Sequence, residues 1–182
     1  NKGHVDSFGE YVRDLDAIMK QVVLADCPPP YYIIGHSTGS TVALLYAGRA
    51  RTQVERMVLL APLFGLAGKS RRIVLFTTGL AQFFGFGESY VPGGGQTLVQ
   101  TEPFEGNPVT SDRQRHGRSS AVIAARPDLG LGSPTISWVH AAMRAAESFE
   151  SPDFPASVPM PVLMVMELPE ETDSAPRDPS LT

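Results

Sequence analysis

The chain has 182 residues, 15 basic against 19 acidic, a net charge of −4 and 42 % apolar residues. That length suits one domain, or one domain carrying an insertion. The apolar share excludes a wholly disordered chain, and the charge leaves no electrostatic footprint for nucleic acid.

Residues 7–25 predict an amphipathic helix. Phe8, Tyr11, Leu15, Ile18 and Val22 recur at three- and four-residue spacing, while Glu10, Arg13, Asp14 and Lys20 fall elsewhere. Asp6 or Ser7 can cap its start by accepting a backbone N–H bond. Cys27 then leads into Pro28-Pro29-Pro30, through which no helix continues. Tyr31-Tyr32-Ile33-Ile34 is a short aromatic and β-branched run that suits a strand buried on both faces. Gly35-His36-Ser37-Thr38-Gly39 is a sharp break, after which residues 40–50 return to helical spacing. Residues 57–61 predict a second buried strand, stopped by Pro62. Strand, turn, helix and strand in this order form a βαβ unit, so the fold class is α/β with a parallel sheet.

From Phe64 to about Ser157 the pattern turns mostly helical. Residues 71–84 predict a helix carrying Ile73, Val74, Phe76, Leu80, Phe83 and Phe84. Residues 85–110 read as a Gly- and Pro-rich loop, and residues 111–126 as a polar helix. Residues 134–149 form a further helix, with Pro134 expected in its first turn. Residues 161–166 are a third buried-strand candidate. The acidic, Pro-rich tail 167–182 contains nothing that reads as a packed element.

Gly35-His36-Ser37-Thr38-Gly39 is a G-x-S-x-G nucleophile elbow. A nucleophilic serine must stand on a tight, strained turn so that its hydroxyl projects from the sheet. Side chains two residues to either side are expected to collide there, hence the two glycines. The following helix aims its N-terminal dipole at the site. The Thr38 backbone N–H is then a candidate donor to the oxyanion of a tetrahedral intermediate, with Ser37 as the candidate nucleophile. No cofactor or metal is required, and no His/Cys cluster has metal-ligand spacing. Gly93-Gly94-Gly95 lacks the spacing and the preceding strand of a nucleotide loop.

Residues 3–166 resemble the α/β-hydrolase fold and, within it, the lysophospholipase L2 and monoacylglycerol lipase-like group. The resemblance rests on Gly3-His4-Val5-Asp6-Ser7-Phe8, Tyr11-Val12-Arg13-Asp14-Leu15, the elbow, and Leu60-Ala61-Pro62-Leu63-Phe64-Gly65. Tyr90-Val91-Pro92-Gly93-Gly94, Thr110-Ser111-Asp112 and Leu131-Gly132-Ser133-Pro134-Thr135 with Trp138 resemble the cap of the lysophospholipase L2-like members. The resemblance implies a core portion over 1–63, a helical cap or lid over 64–157, a returning core strand over 158–166 and an aberrant tail. It also implies a serine ester hydrolase that acts on a lipid ester, with Ser37 as nucleophile and the Thr38 amide as oxyanion donor. The residue after the nucleophile is often Met in this group. Thr stands there here, but its contribution is a backbone N–H.

The fold orders its triad as Ser, then Asp or Glu, then His. Downstream of Ser37 the histidines are His116 and His140, both inside the insert; His4 and His36 precede or adjoin the elbow. None is expected to be the general base. Three strands are visible where the resemblance implies a larger sheet, and the chain starts with Asn1. The expectation is therefore an internal piece of a longer hydrolase that lacks the catalytic histidine. The triad acid should follow strand 161–166, yet the text there is Glu167-Leu168-Pro169-Glu170-Glu171-Thr172-Asp173. A frameshift would account for such a tail, and Asp173 could substitute by position only.

Residues 73–87 carry no charge and four phenylalanines. They read either as a lid helix that touches acyl chains or a membrane surface, or as a helix packed on the sheet domain. Lys69, Arg71 and Arg72 just before it are placed to attract phosphate headgroups. Lone Cys27 gives no disulfide and favours a reducing, cytoplasmic setting, with peripheral contact at the inner face of a membrane. No stretch of about 18 uncharged apolar residues reads as a membrane-spanning helix. Two other functions fit the same residues: a non-catalytic lipid-binding fragment, and the same scaffold acting on peptides or other small esters.

Overall fold

The structure is a computed structural model and describes residues 2–50, 53–66, 68–95, 103–105, 110–154 and 157–166. Helix α1 spans Phe8–Ile18, widens into a π turn over Met19–Val23 and ends by Asp26. Of the two expected caps, Ser7 is the one used. Its hydroxyl accepts from the Gly9 N–H at 3.1 Å, and Glu10 reaches back to the Ser7 N–H at 3.2 Å. Strand β1 (Tyr31–His36), helix α2 (Thr38–Tyr46) and strand β2 (Val54–Leu60) follow. Helix α2 starts at the elbow itself rather than at residue 40. It ends in tight turns by Ala50, where the Ala50 N–H donates to the Tyr46 carbonyl at 3.1 Å.

Helices α3 (Arg71–Phe83), α4 (Arg113–Ala125) and α5 (Ile136–Ser148) come next, before strand β3 (Val162–Val165). Thr135 caps α5 by accepting from the Trp138 N–H at 3.2 Å. Pro134 therefore lies one residue before the cap, not in the first turn of the helix. Its backbone instead pairs with Gly3.

Among the described residues the sheet has three parallel strands in the order β1-β2-β3. Ile33 lies opposite Met57, Gly35 opposite Leu59, and Met57 opposite Val162. The expectation that β1 is buried on both faces fails, and so does the expectation that β3 is a buried strand. In β1, Ile34 is 74 % exposed and Tyr32 is exposed beside it; in β3, Leu163, Met164 and Val165 are exposed. Only central β2 places Met57 and Leu59 fully inside. An apolar run fixes strand propensity, but whether both faces are covered depends on what packs there, and among the described residues helices pack against one face.

Two apolar clusters hold these layers. One joins α1, α2 and the sheet around Val12, Leu44, Tyr46, Met57 and Leu59. The other joins α1 to α5, with Val5 and Phe8 set against Ala141, Ala142 and Ala145. Small residues on α5 let the two helices approach closely. The Trp138 indole N–H donates to the Tyr11 hydroxyl at 3.0 Å across the same junction. The tail 167–182 lies outside the described residues, and with it Asp173 and the frameshift expectation.

Candidate active site

Strand β1 delivers Ser37 to the edge of the sheet and α2 starts on the next residue. Ser37 has φ 49° and ψ −118°, a conformation that an L residue adopts only when its surroundings impose it. Those surroundings are identifiable. The Ser37 N–H donates to the Leu60 carbonyl at 2.9 Å, and the Ser37 carbonyl accepts from the N–H groups of Ser40 at 3.0 Å and Leu63 at 3.3 Å. The serine is thereby tied on both sides to the exit of the neighbouring strand.

Two hydroxyls complete the attachment. Ser40 Oγ donates to the Leu60 carbonyl at 3.2 Å, and Thr41 Oγ1 donates to the Leu63 carbonyl at 3.0 Å. Both residues are fully buried. Sequence reasoning missed them. The available signal was two polar residues opening a helix that is otherwise Val42-Ala43-Leu44-Leu45. Ala61, where the chain leaves β2, also has a positive φ, 42°. Two left-handed residues therefore stand at the ends of adjacent strands.

The glycine argument holds at one position and fails at the other. A Cβ on Gly35 would stand 2.7 Å from the Ser40 Cα, whereas one on Gly39 would meet nothing within 4 Å. Gly39 occupies the second position of α2 and projects into open space, so steric collision does not explain it.

Thr38 opens α2, and the first N–H groups of a helix have no acceptor inside it. The Thr38 N–H is therefore an unclaimed helix donor immediately beside the Ser37 side chain. A cleft of about 420 Å³ is lined mainly by apolar groups of Tyr11, Leu15, Ile33, Ile34 and Val42, and Asp14, Thr38 and Gly39 share its wall while Ser37 does not. A cleft of about 460 Å³ between the start of α1 and α5 shares no residue with the elbow.

The structure brings no imidazole to the Ser37 hydroxyl among the described residues. His36 is exposed at the end of β1. His4 Nδ1 meets Thr135 Oγ1 at 2.9 Å and its Nε2 lies 3.5 Å from Asp6 Oδ1. His116 packs edge-on against Phe104. His140 Nδ1 meets Thr78 Oγ1 at 2.9 Å, joining α5 to α3. Burial, helped by the Arg144 guanidinium, pushes the His140 pKa below its ordinary value. Among the described residues no group of three His, Cys, Asp or Glu side chains could hold a metal ion.

A strained serine between a parallel strand and a helix, within a sheet of this order, places the chain in the α/β-hydrolase class. The model of the family described as "Serine aminopeptidase, S33" matches residues 1–166, and the chain belongs to that family. Lysophospholipase L2 of Escherichia coli K12 is 31 % identical over 153 residues, covering 80 % of this chain and 43 % of the relative. A "Probable lysophospholipase L2" of Haemophilus influenzae is 29 % identical over 165 residues, covering 90 % and 51 %. The chain thus spans about half the length of the curated relatives it matches. Among solved structures, a thermostable carboxyl esterase from Bacillus coagulans superposes with a TM-score of 0.52 at 17 % identity, over 85 % of this chain and 50 % of that one. That likeness supports the fold.

Proposed function

We propose that this chain carries the nucleophile of a lipid ester hydrolase of the lysophospholipase type. The observation that carries the reading is the backbone of Ser37, held at φ 49° between β1 and α2. Ser37 Oγ would attack the acyl carbonyl, and the Thr38 N–H would donate to the oxyanion as it forms. A general base supplied from outside the described residues would accept the serine proton and return it to the leaving alcohol. Water would then release the fatty acid by the same route. The relatives' names support a lysophospholipid as the ester. The apolar cleft beside Thr38 supports an acyl chain as the bound group.

In this reading the segment 64–157 acts as a cap, with a cytoplasmic setting and transient contact with a membrane surface. No helix among the described residues is long and apolar enough to cross a membrane.

The test has two stages. A fluorophosphonate probe should label the protein and fail to label Ser37→Ala, and unlabelled protein supplied with the segment that carries the general base should release fatty acid from lysophosphatidylcholine faster than from monoacylglycerol. Equal labelling of Ser37→Ala would remove the nucleophile. Turnover of an aminoacyl p-nitroanilide in place of either lipid would move the substrate class to peptides. Hydrolysis of a short p-nitrophenyl ester by these 182 residues alone would show that a base is already present.

A further inference from the structure

A third cleft, of about 410 Å³, opens between α2, the end of α5 and strand β3. It shares no residue with the elbow or with the cleft that Thr38 lines. Its wall is mostly apolar. Phe64, Phe149 and Phe154 form a chain of edge-on rings with centroids 5.6 Å and 4.8 Å apart, and Leu44 and Met164 complete the wall. Phe64 follows Leu63, whose N–H donates to the Ser37 carbonyl, so the cleft adjoins the loop that fixes the elbow. Met164 lies opposite fully buried Leu59 in the β2–β3 pair, yet it remains 40 % exposed.

Among the described residues that line the cleft, one cation and one acid stand at its rim. Arg71 opens α3 and is paired with Glu150, just past the end of α5. The partners are not held equally: the Arg71 side chain is 26 % exposed and that of Glu150 is 63 % exposed. The hydrogen bond from Arg71 holds the Glu150 carboxyl below the usual range, and the charges of Arg71 and Arg72 add to it. A carboxylate is therefore already stabilised at this rim, on a guanidinium fixed beside an apolar cleft. The planar fork of a guanidinium matches a carboxylate in shape as well as charge. Glu150 reaches that fork from water and can return to water. Exposed pairs of this kind contribute little to stability, so displacing it costs little. A carboxylate on an alkyl chain would gain the cation and the apolar wall together, whereas Glu150 gains the cation alone.

We infer that this cleft binds the anion of a fatty acid, with its carboxylate taking the place of Glu150 on Arg71 and its alkyl chain lying along Phe64, Phe149 and Phe154. A fatty acid is also the product of the proposed hydrolysis. The inference thus deepens that reading, and to that extent rests on it, by adding a place where product is held. The binding itself needs no live nucleophile.

The experiment is calorimetric titration of the full chain at neutral pH with dodecanoate below its micellar concentration, beside dodecanol and dodecyl phosphate. Dodecanoate should bind, and dodecanol should bind about tenfold more weakly or less. Arg71→Gln should bring dodecanoate down to the level of dodecanol. Glu150→Gln should strengthen dodecanoate binding severalfold, a gain that a damaged fold would not give. Met164→Trp, which fills the cleft, should abolish binding. Phe76→Ser, at an exposed phenylalanine of α3 outside the cleft, should bind like the parent. Ser37→Ala should also bind like the parent, so a failed hydrolase reading leaves this result standing. Circular dichroism checks that each variant is folded, and Met164→Phe replaces Met164→Trp if the larger ring unfolds the chain. No binding of dodecanoate, equal binding of dodecanol or tighter binding of dodecyl phosphate would each overturn the inference. So would unchanged binding in a folded Arg71→Gln or cleft-filling variant, or loss of binding in Phe76→Ser.

Discussion

Gly35 and Ser40 meet backbone to backbone: a Cβ on Gly35 would lie 2.7 Å from the Ser40 Cα and 2.9 Å from its nitrogen. Neither atom belongs to a flexible side chain that could swing aside, so β1 and α2 would have to part. Gly35→Ala should cost about 1–3 kcal/mol, as overpacked sites do. At Gly39 the added methyl meets nothing, and alanine is the better helix former. Gly39→Ala should be neutral or stabilise by up to about 1 kcal/mol. Urea unfolding midpoints of the two variants decide the matter. Equal losses would mean that both elbow glycines are sterically required.

That contrast also shows what could be read from the chain and what could not. The cap at Asp6 or Ser7 and the spacing of Phe8, Leu15 and Ile18 are local, and they place α1 to within a residue at its start. The elbow is local too, since strand, glycine, serine and helix follow one another directly. The attachments that hold Ser37 are not local. Ser40 and Thr41 reach Leu60 and Leu63, some twenty residues along the chain, and nothing in either short text announces the pairing. The exposure of Ile34 was illegible for a related reason. Burial of an outer face is decided by whatever packs on it, which the composition of Tyr31–Ile34 does not encode.

The backbone of Ser37 stores strain that a glycine would relieve. A non-glycine residue at φ 49° and ψ −118° costs on the order of 1–3 kcal/mol. Glycine adopts that conformation freely but has more unfolded-state entropy to lose, about 0.5–1 kcal/mol. Ser37→Gly should therefore be more stable than the parent by ~1 kcal/mol, while Ser37→Ala, which keeps the strain, should match the parent closely. Thermal midpoints of the three proteins check this. A Ser37→Gly variant less stable than Ser37→Ala would mean that the turn is not strained.

The two buried hydroxyls should differ in cost because their acceptors differ. Removing Ser40 Oγ leaves the Leu60 carbonyl with the Ser37 N–H at 2.9 Å. Removing Thr41 Oγ1 leaves the Leu63 carbonyl with no other donor among the described residues. An ordinary lost bond costs about 0.5–1.5 kcal/mol, and an acceptor left with no second donor falls at the upper end of that range. Thr41→Val should therefore destabilise more than Ser40→Ala, although valine keeps the shape. Denaturant titration gives the order directly, and Thr41→Ser should recover most of the loss.

The contact between α3 and α5 should weaken in acid through His140. Burial is the main reason its pKa lies below the ordinary histidine value, and the positive Arg144 adds to it. The ring is therefore neutral in the folded protein and meets Thr78 Oγ1 at 2.9 Å. With the folded pKa depressed, the unfolded chain binds the proton more readily. Its contribution is complete above the unfolded value of about 6.5. It is lost as pH falls from there through the lower folded value. The thermal midpoint should drop across that window, and His140→Gln should flatten the drop while leaving the midpoint near neutral pH less affected. A His140→Gln variant with the parent's full acid sensitivity would assign the effect to other groups.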